Sequence, residues 1–160
     1  MTATRWLTTE QQAAWRTWLT AQLLLAEAFE RDLKSQAGLS MAEYDVLVQL
    51  SEAPDRRLRM SELASRTLAS RSRLSHQISR MEADGLVRRE ECLTDKRGWW
   101  AVLTDQGFEA LAASAPDHVE SVRKHLVDVL SPDDFATLGC ILGKVVAALQ
   151  GECAEAEQSA

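Results

Sequence analysis

The segment from Met60 to Thr104 constrains the fold more than any other part of the chain. A short helical pattern over Met60–Thr67 is followed, after a break at 68–69, by a second helical pattern that ends at Gly85. The second helix carries a single narrow apolar stripe, formed by Leu74, Ile78 and Met81. A helix of this kind packs on a core along one side only. We therefore expect its remaining sides to be available to solvent or to a ligand.

Two short strand patterns follow the second helix. Leu86–Cys92 and Trp99–Leu103 flank a polar turn over 93–98, which predicts a β-hairpin. Strand alternation predicts that one of Trp99 and Trp100 faces the core and that the other faces out. Helix, break, helix and hairpin in this order predict a winged helix-turn-helix. The expected fold class is mainly α with a small β-hairpin wing.

Two helices are predicted before this segment. A capping-box pattern at Thr8 opens a long helix over 8–37. The same pattern at Ser40 opens a second helix that stops before Pro54 and is followed by a basic link over 55–59. Because apolar residues cover more than one face of the first helix, we expect it to pack on its own domain and on a partner chain.

Two further helices are predicted after the hairpin. One begins after Thr104, and Pro116 is expected to kink or break it. The last helix begins at Ser131-Pro132, a cap followed by proline at the first helical position, and is rich in apolar residues. Its cysteine, Cys140, is expected in the core. Residues 151–160 are polar and acidic and are expected to form a flexible tail.

Charge is distributed unevenly along the chain. The net charge is −6, yet residues 56–100 contain eleven basic and six acidic residues. A basic region between acidic flanks is typical of a nucleic-acid-binding surface, and a solvated charged surface is the alternative. No apolar run approaches the roughly 20 residues of a membrane span, and the N-terminus lacks the apolar core of a signal peptide. We therefore expect a cytoplasmic protein with no membrane partner.

No pattern in the sequence indicates catalysis. The three cysteines are far apart and form no CxxC pair, which argues against a thiolate zinc site. His118 and His125 are too far apart for the usual metal pair on one helix. We also find no nucleophile–base pair and no phosphate loop. We expect no enzyme activity, no metal and no cofactor.

The polar sides of the helix after the break carry the candidate DNA contacts. Helix N-termini attract phosphate, and arginine and glutamine pair with base edges in the major groove. We expect base contacts from Arg73, His76 and Gln77, and mainly phosphate contacts from the serines and Arg80. The full set on this helix is Ser70, Arg71, Ser72, Arg73, Ser75, His76, Gln77 and Arg80. The alternative is an exposed arginine-rich helix without a ligand.

The polar turn of the hairpin adds Asp95, Lys96 and Arg97. Asp95 can hold the Arg97 guanidinium by charge-assisted hydrogen bonds. An arginine on a narrow projection suits the minor groove of A·T-rich DNA, whose negative potential attracts it. We expect Lys96 to contact a phosphate.

Five pieces of sequence, all in register, resemble the MarR family of regulators. They are Leu63-Ala64, the run from Ser70 to Glu82, Gly85-Leu86-Val87-Arg88-Arg89, Asp95-Lys96-Arg97-Gly98 and Leu103-Thr104-Asp105-Gln106-Gly107. The similarity covers about residues 40–107, and the flanking helices match the family in length and order.

The resemblance implies an intertwined helical homodimer of one MarR-like domain over 1–160. Its dimerisation helices are 1–38 and 105–150, and its winged-helix DNA-binding lobe is 40–104. Within that lobe the recognition helix is Ser70–Ala83 and the wing is Leu86–Leu103. The resemblance also implies an inverted-repeat operator on double-stranded DNA, usually repression, and in many members release by a small anionic or phenolic effector.

A ligand cleft between the dimer helices and the DNA-binding lobes has three candidate residues: Trp15, Trp18 and His118. The alternative is that the tryptophans pack in the dimer core and that the histidine lies on the surface. A winged helix that docks a protein instead of DNA also remains open. Such a module would more readily expose apolar groups on its second helix and hairpin tip.

Overall fold

The computed structural model describes residues 3–92 and 98–158, with side chains as far as residue 151. The helices are α1 (Thr9–Ala37), α2 (Met41–Ser51), α3 (Met60–Arg66), α4 (Arg71–Ala83), α5 (Asp105–His125) and α6 (Pro132–Gln158). The strands are β1 (Arg57–Arg59), β2 (Val87–Glu91) and β3 (Trp99–Leu103). These elements form two compact units, Met1–Ser121 and Val122–Ala160. The predicted fold class, mainly α with a small β-hairpin wing, is confirmed.

Both predicted capping boxes are present. The Thr8 hydroxyl accepts a hydrogen bond from the Gln11 amide at 3.2 Å, and the Gln11 side chain accepts one from the Thr8 amide at 3.0 Å. Ser40 and Glu43 repeat this exchange at the start of α2, at 3.2 and 2.8 Å. Each box satisfies backbone donors that a helix start leaves unpaired, so the sequence fixes where both helices begin.

One apolar core holds the first unit together. The predicted stripe of α4 is fully buried in it: Leu74, Ile78 and Met81 have no exposed surface. The other large side chains buried to the same degree are Leu33, Val46, Leu47, Leu50, Leu63 and Val87. Full burial of one such side chain contributes about 1.5–3 kcal/mol. Three of them anchor α4 along one side and leave its other sides free.

The wing strands belong to a three-stranded antiparallel sheet of order β1-β3-β2. Ala101 of the central strand pairs with Leu58 on one side and Arg89 on the other. Trp100 pairs with Arg59. Alternation therefore places Leu58, Ala101 and Arg89 on the face towards the core, and Arg59 and Trp100 on the outer face.

The first strand of this sheet corrects the sequence prediction. The basic pattern over 55–59 predicts only a link, whereas β1 forms over Arg57–Arg59. Its single buried residue is Leu58. Three residues with one apolar side chain are too short to show the alternation that identifies a strand. Pairing with β3 creates this strand.

The start of α5 depends on a close approach between Gly107 and Leu86. The Gly107 amide donates to the Thr104 hydroxyl at 2.9 Å, and that hydroxyl donates to the Leu86 carbonyl oxygen at 3.0 Å. A Cβ atom on Gly107 would lie 2.0 Å from the same oxygen. Only glycine fits this position.

Of the two outcomes predicted at Pro116, the break is wrong, and the kink stays a prediction. α5 continues through this proline as one helix from Asp105 to His125. Proline removes one backbone hydrogen bond from a helix interior. Buried residues lie on both sides of it, with Leu111 and Ser114 before and Ser121 after. Their packing holds the helix together across the missing bond.

α6 in the second unit buries no large apolar side chain within the described chain. Phe135, Ile141, Val145, Val146 and Leu149 are between 39 and 58% exposed. Cys140 is also exposed, so its predicted place in the core is wrong for the single chain. By length and hydropathy alone, the segment Pro132–Gly151 could cross a membrane. The sequence analysis, which found no apolar run of that length, missed this segment. The backbone stays helical to Gln158, beyond the predicted start of the tail.

Candidate nucleic-acid interface

α4 presents its N-terminus and its polar sides to solvent. The Ser70 hydroxyl caps the helix by accepting a hydrogen bond from the Arg73 amide at 3.3 Å. The first turn contains no acidic residue. The partial positive charge of the helix start is therefore not offset by a neighbouring carboxylate in that turn, and the end can attract an anion.

Seven of the eight residues predicted on this helix are exposed, as expected for a binding face. They are Ser70, Arg71, Ser72, Arg73, Ser75, His76 and Arg80. Arg73 and His76 lie on the solvent side of a helix whose opposite side is buried. A ligand approaching that side meets basic and hydrogen-bonding groups.

Gln77 is the exception, and its predicted exposure is wrong. Only 4% of the residue is exposed, and its Nε2 atom is buried without a hydrogen-bond partner among the described residues. Gln77 follows Leu74 by three residues and precedes Met81 by four, which places it on the buried side of the helix. Its polarity suggested an outward position, but its spacing indicates the core.

An open cleft of about 720 Å³ lies between α4 and the wing strands. Two predicted contact residues, Arg71 and Ser75, line it. The remaining lining residues are Arg59, Met60, Ser61, Arg89, Gly98 and Trp99. Sequence reasoning missed Arg59, Arg89 and Trp99 as parts of this site. The basic run in 56–100 was a signal for both arginines. The sheet register brings Arg89 to the cleft, whereas Arg59 lines it from the end of β1, next to Met60 and Ser61.

Strand alternation places Trp99 on the inner face with Ala101 and Trp100 on the outer face, as predicted, yet neither tryptophan is buried in the core. Trp99 is 44% exposed and lines the cleft. Trp100 is half-buried on the outer face of the sheet, between two arginines of β1. The guanidinium carbons of Arg57 and Arg59 lie 5.0 and 4.6 Å from the centre of its ring. Cation–π contacts of this kind hold the arginines in place.

The three residues predicted at the hairpin tip, Asp95, Lys96 and Arg97, lie outside the described residues. The strands that lead to the tip are described, and Trp99 pairs with Glu91 at their outermost register position. The role of the tip stays a prediction.

The candidate ligand residues are not brought together. His118 lines a cavity of about 440 Å³ with Met41, Ala42, Tyr44, Asp45 and Val48. Trp15 lines a different cavity near the N-terminus, of about 500 Å³. Trp18 lines neither of these cavities and is 40% exposed.

His118 is half-buried and lies beside two aromatic rings. Its ring centre is 4.4 Å from that of Tyr44 and 6.2 Å from that of Phe29. Its Nδ1 atom is buried without a hydrogen-bond partner among the described residues. Burial lowers the pKa of His118 and raises the pKa of Tyr44. His118 is therefore half-buried, between the two predicted alternatives, and its role as a ligand residue stays a prediction.

Within the described residues, no group of three or more His, Cys, Asp or Glu side chains is placed to hold a metal ion. Neither of the two cysteines whose side chains are described, Cys92 and Cys140, forms a disulfide.

Comparisons with known proteins agree with this arrangement. The model of the MarR family matches residues 37–98. The HTH-type transcriptional regulator PecS of Dickeya dadantii (strain 3937) is 30% identical over 128 residues, which cover 77% of this chain and 74% of PecS.

Two solved structures from Streptomyces coelicolor are similar over most of their length. AbsC, a MarR family transcriptional regulator, superposes with a TM-score of 0.87 and 50% identity, covering 92% of this chain and 99% of AbsC. Sco3205, a MarR family transcriptional regulator solved in complex with DNA, superposes with a TM-score of 0.89 and 47% identity, covering 92% of each chain. These relatives are named as regulators, which confirms the expectation that the chain is not an enzyme. The chain is a transcriptional regulator that belongs to the MarR family.

Proposed function

We propose that this chain is a homodimeric repressor that binds a specific site on double-stranded DNA through α4 and the wing. The observation that carries the proposal is the exposed basic face of α4. The opposite side of this helix is a fully buried apolar stripe, and an open cleft lies beside the exposed face. The similarity to Sco3205, which was solved in complex with DNA, supports it.

In this proposal α4 enters the major groove and its exposed residues divide into two roles. Arg73 and His76 contact base edges. Ser70, Ser72, Ser75 and Arg80 position the helix mainly through phosphates, and Arg71 faces the DNA backbone from the cleft. Gln77 has no contact role because it is buried.

The hairpin tip supplies the contact outside the major groove. Arg97 enters the minor groove, where a narrow A·T-rich segment attracts a guanidinium. Asp95 orients that guanidinium, and Lys96 contacts a phosphate. These roles rest on the sequence pattern and on the resemblance.

A second copy of the chain covers the exposed apolar faces of α1 and α6. The large apolar side chains of α1 that are at least 40% exposed are Trp15, Trp18, Leu23 and Leu24. α6 adds the five already named, which are between 39 and 58% exposed. Apolar surface of this extent marks an interface. Burial by protein rather than by lipid also accounts for the apolar α6 and agrees with a cytoplasmic location. Such a dimer recognises an inverted repeat with half-site centres about one helical turn, roughly 10 base pairs, apart.

An effector that binds the cavity at His118 completes the proposal. The cavity combines aromatic and apolar walls with two titratable side chains, Asp45 and His118, and ligand pockets usually combine such features. Trp15 and Trp18 line no part of it, and we assign them to the dimer surface. To release DNA, the effector must bind one state of the dimer more tightly than the other.

The test compares Arg73→Ala with Arg123→Ala, an equal change of charge at an exposed arginine of α5 that pairs with Asp128. The probe is the duplex that the wild-type protein enriches most from a random-sequence pool. Arg73→Ala is expected to weaken binding by about 1–3 kcal/mol and to relax the preference at one base position. Arg123→Ala is expected to leave both unchanged. Equal affinities and preferences for the two variants would exclude α4 as the recognition element.

A further inference from the structure

We infer that Arg89 is a positioning residue for DNA recognition: it ties the wing to α4, so that both elements meet DNA in a fixed relative orientation. The effect of Arg89 on DNA recognition rests on the proposed function. The link that Arg89 makes between the wing and α4 rests on contacts made in the described chain.

Arg89 of β2 contacts three positions of α4. Its Nη2 donates to the Ser75 carbonyl oxygen at 2.7 Å and to the Ser79 hydroxyl at 3.0 Å. Its Nη1 lies 3.4 Å from Glu82 Oε2, and its backbone amide donates to Glu82 Oε1 at 2.9 Å. Positions 75, 79 and 82 follow one another along one side of the helix. A single side chain therefore spans two turns of α4.

This arrangement is specific to Arg89 within the described residues. There it makes all the hydrogen bonds that join α4 to β2. Its neighbour Arg88 points to the opposite face of the sheet, where it bonds Glu90 at 2.6 Å. The Arg89 side chain is 23% exposed, compared with 53% for Arg88. The two arginines share a strand and a charge but differ in their contacts with α4.

The chemistry of the guanidinium explains why this link is rigid. Its donors lie in one plane in a fixed fork, so bonds to a carbonyl, a hydroxyl and a carboxylate hold both the position and the orientation of the group. Two recognition elements that enter different grooves gain affinity when their relative orientation is set before binding, because less freedom is lost in the complex. Arg89 provides this preorganisation.

A direct phosphate contact is the competing role, since Arg89 also lines the cleft. The two roles predict different results when Arg89 is replaced by lysine. A lysine at 89 keeps the charge that a phosphate needs, but its single ammonium cannot reproduce the fork that meets Ser75, Ser79 and Glu82 together. A phosphate contact also contributes about one unit to the slope of log affinity against log salt.

The experiment uses the full chain as wild type, Arg89→Ala, Arg89→Lys and the control Arg88→Ala. Hydrogen exchange of the free proteins measures the protection of β2 and β3 relative to α2. Binding is then measured on the duplex selected by the wild type and on the same duplex with its flanking base pairs replaced. Glu82→Gln, which keeps a neutral acceptor, replaces Arg89→Ala if that variant does not fold.

We expect Arg89→Ala to speed hydrogen exchange in β2 and β3 without changing exchange in α2. We also expect it to lower the discrimination between the two duplexes about tenfold, which is the size of effect that the loss of one preorganised contact produces. Arg89→Lys should resemble Arg89→Ala, and Arg88→Ala should resemble wild type. A general loss of stability would lower the active fraction but leave the discrimination of the active protein unchanged.

Two results overturn the inference. One is that Arg89→Ala matches Arg88→Ala in both measurements. The other is that Arg89→Lys restores binding while Arg89→Ala reduces the salt slope by about one unit, which identifies a phosphate contact. If the wild type enriches no duplex, the proposed function fails, and the exchange comparison alone decides whether Arg89 ties the wing to α4.

Discussion

Replacing Gln77 by methionine tests the placement of α4 most sharply, because this residue is polar yet buried. Its Nε2 atom has no partner among the described residues, and only 4% of the residue is exposed. A buried polar group left without a hydrogen bond costs about 1–3 kcal/mol. Methionine has a similar length, is flexible enough to fill the site, and has a similar helix propensity. Gln77→Met is therefore expected to raise the free energy of unfolding by about 1–2 kcal/mol.

Urea denaturation at one fixed protein concentration measures this change, since the stability of a dimer depends on protomer concentration. Gln77→Ala is the matched control: it also removes the amide but leaves a cavity, so it should be less stable than Gln77→Met. DNA affinity and base preference should be unchanged in Gln77→Met. A loss of stability would show that the amide has a partner, such as a bound water. A changed base preference at one position would restore Gln77 as a base contact. Either result would refute the assignment of Gln77 to an unsatisfied place in the core.

Three other predictions follow from the structure. Gly107→Ala should lower the free energy of unfolding by at least about 1–3 kcal/mol, because the added Cβ would lie 2.0 Å from the Leu86 carbonyl oxygen; a thermal transition equal to that of wild type would contradict the close approach. Burial lowers the pKa of His118 below 6.5, so its contribution to stability should be complete above pH 6.5 and should be lost as pH falls through the lowered native value. The difference in unfolding free energy between wild type and His118→Phe, in which effects common to both proteins cancel, should show this loss, and a difference independent of pH would contradict it. Ile141→Glu should shift the protein towards monomer in sedimentation velocity, because it places a charge on the exposed apolar face of α6; an unchanged sedimentation coefficient would exclude that face from the interface.

The features that could be predicted from sequence are those encoded locally. The capping boxes at Thr8 and Ser40 fixed two helix starts, because the side chains involved lie three residues apart. The stripe in α4 identified its buried side, and the exposed arginines and serines followed from it. The same spacing also places Gln77 on the buried side of α4. The prediction gave more weight to the polarity of glutamine and placed this residue outside.

The features that could not be predicted depend on contacts between distant segments. β1 exists because Arg57–Arg59 pairs with β3, some forty residues later. α5 passes through Pro116 because burial on both sides compensates for the missing hydrogen bond. The bonds from Arg89 to α4 require the sheet register, which places Arg89 opposite Ala101 on the inner face. None of these has a signature within a short window of sequence.

The central claim is that this chain recognises a specific DNA sequence through phosphate and base contacts. The most direct test is a binding titration of the purified protein against the intergenic DNA beside its own gene, with a shuffled duplex as competitor, at several salt concentrations. We expect affinity for the intergenic DNA to exceed that for the shuffled duplex by about a thousandfold or more, and to fall steeply as salt rises. Weak and equal binding to both duplexes, followed by no enrichment of any fragment from the whole genome, would contradict the claim and would favour a protein partner for this winged helix.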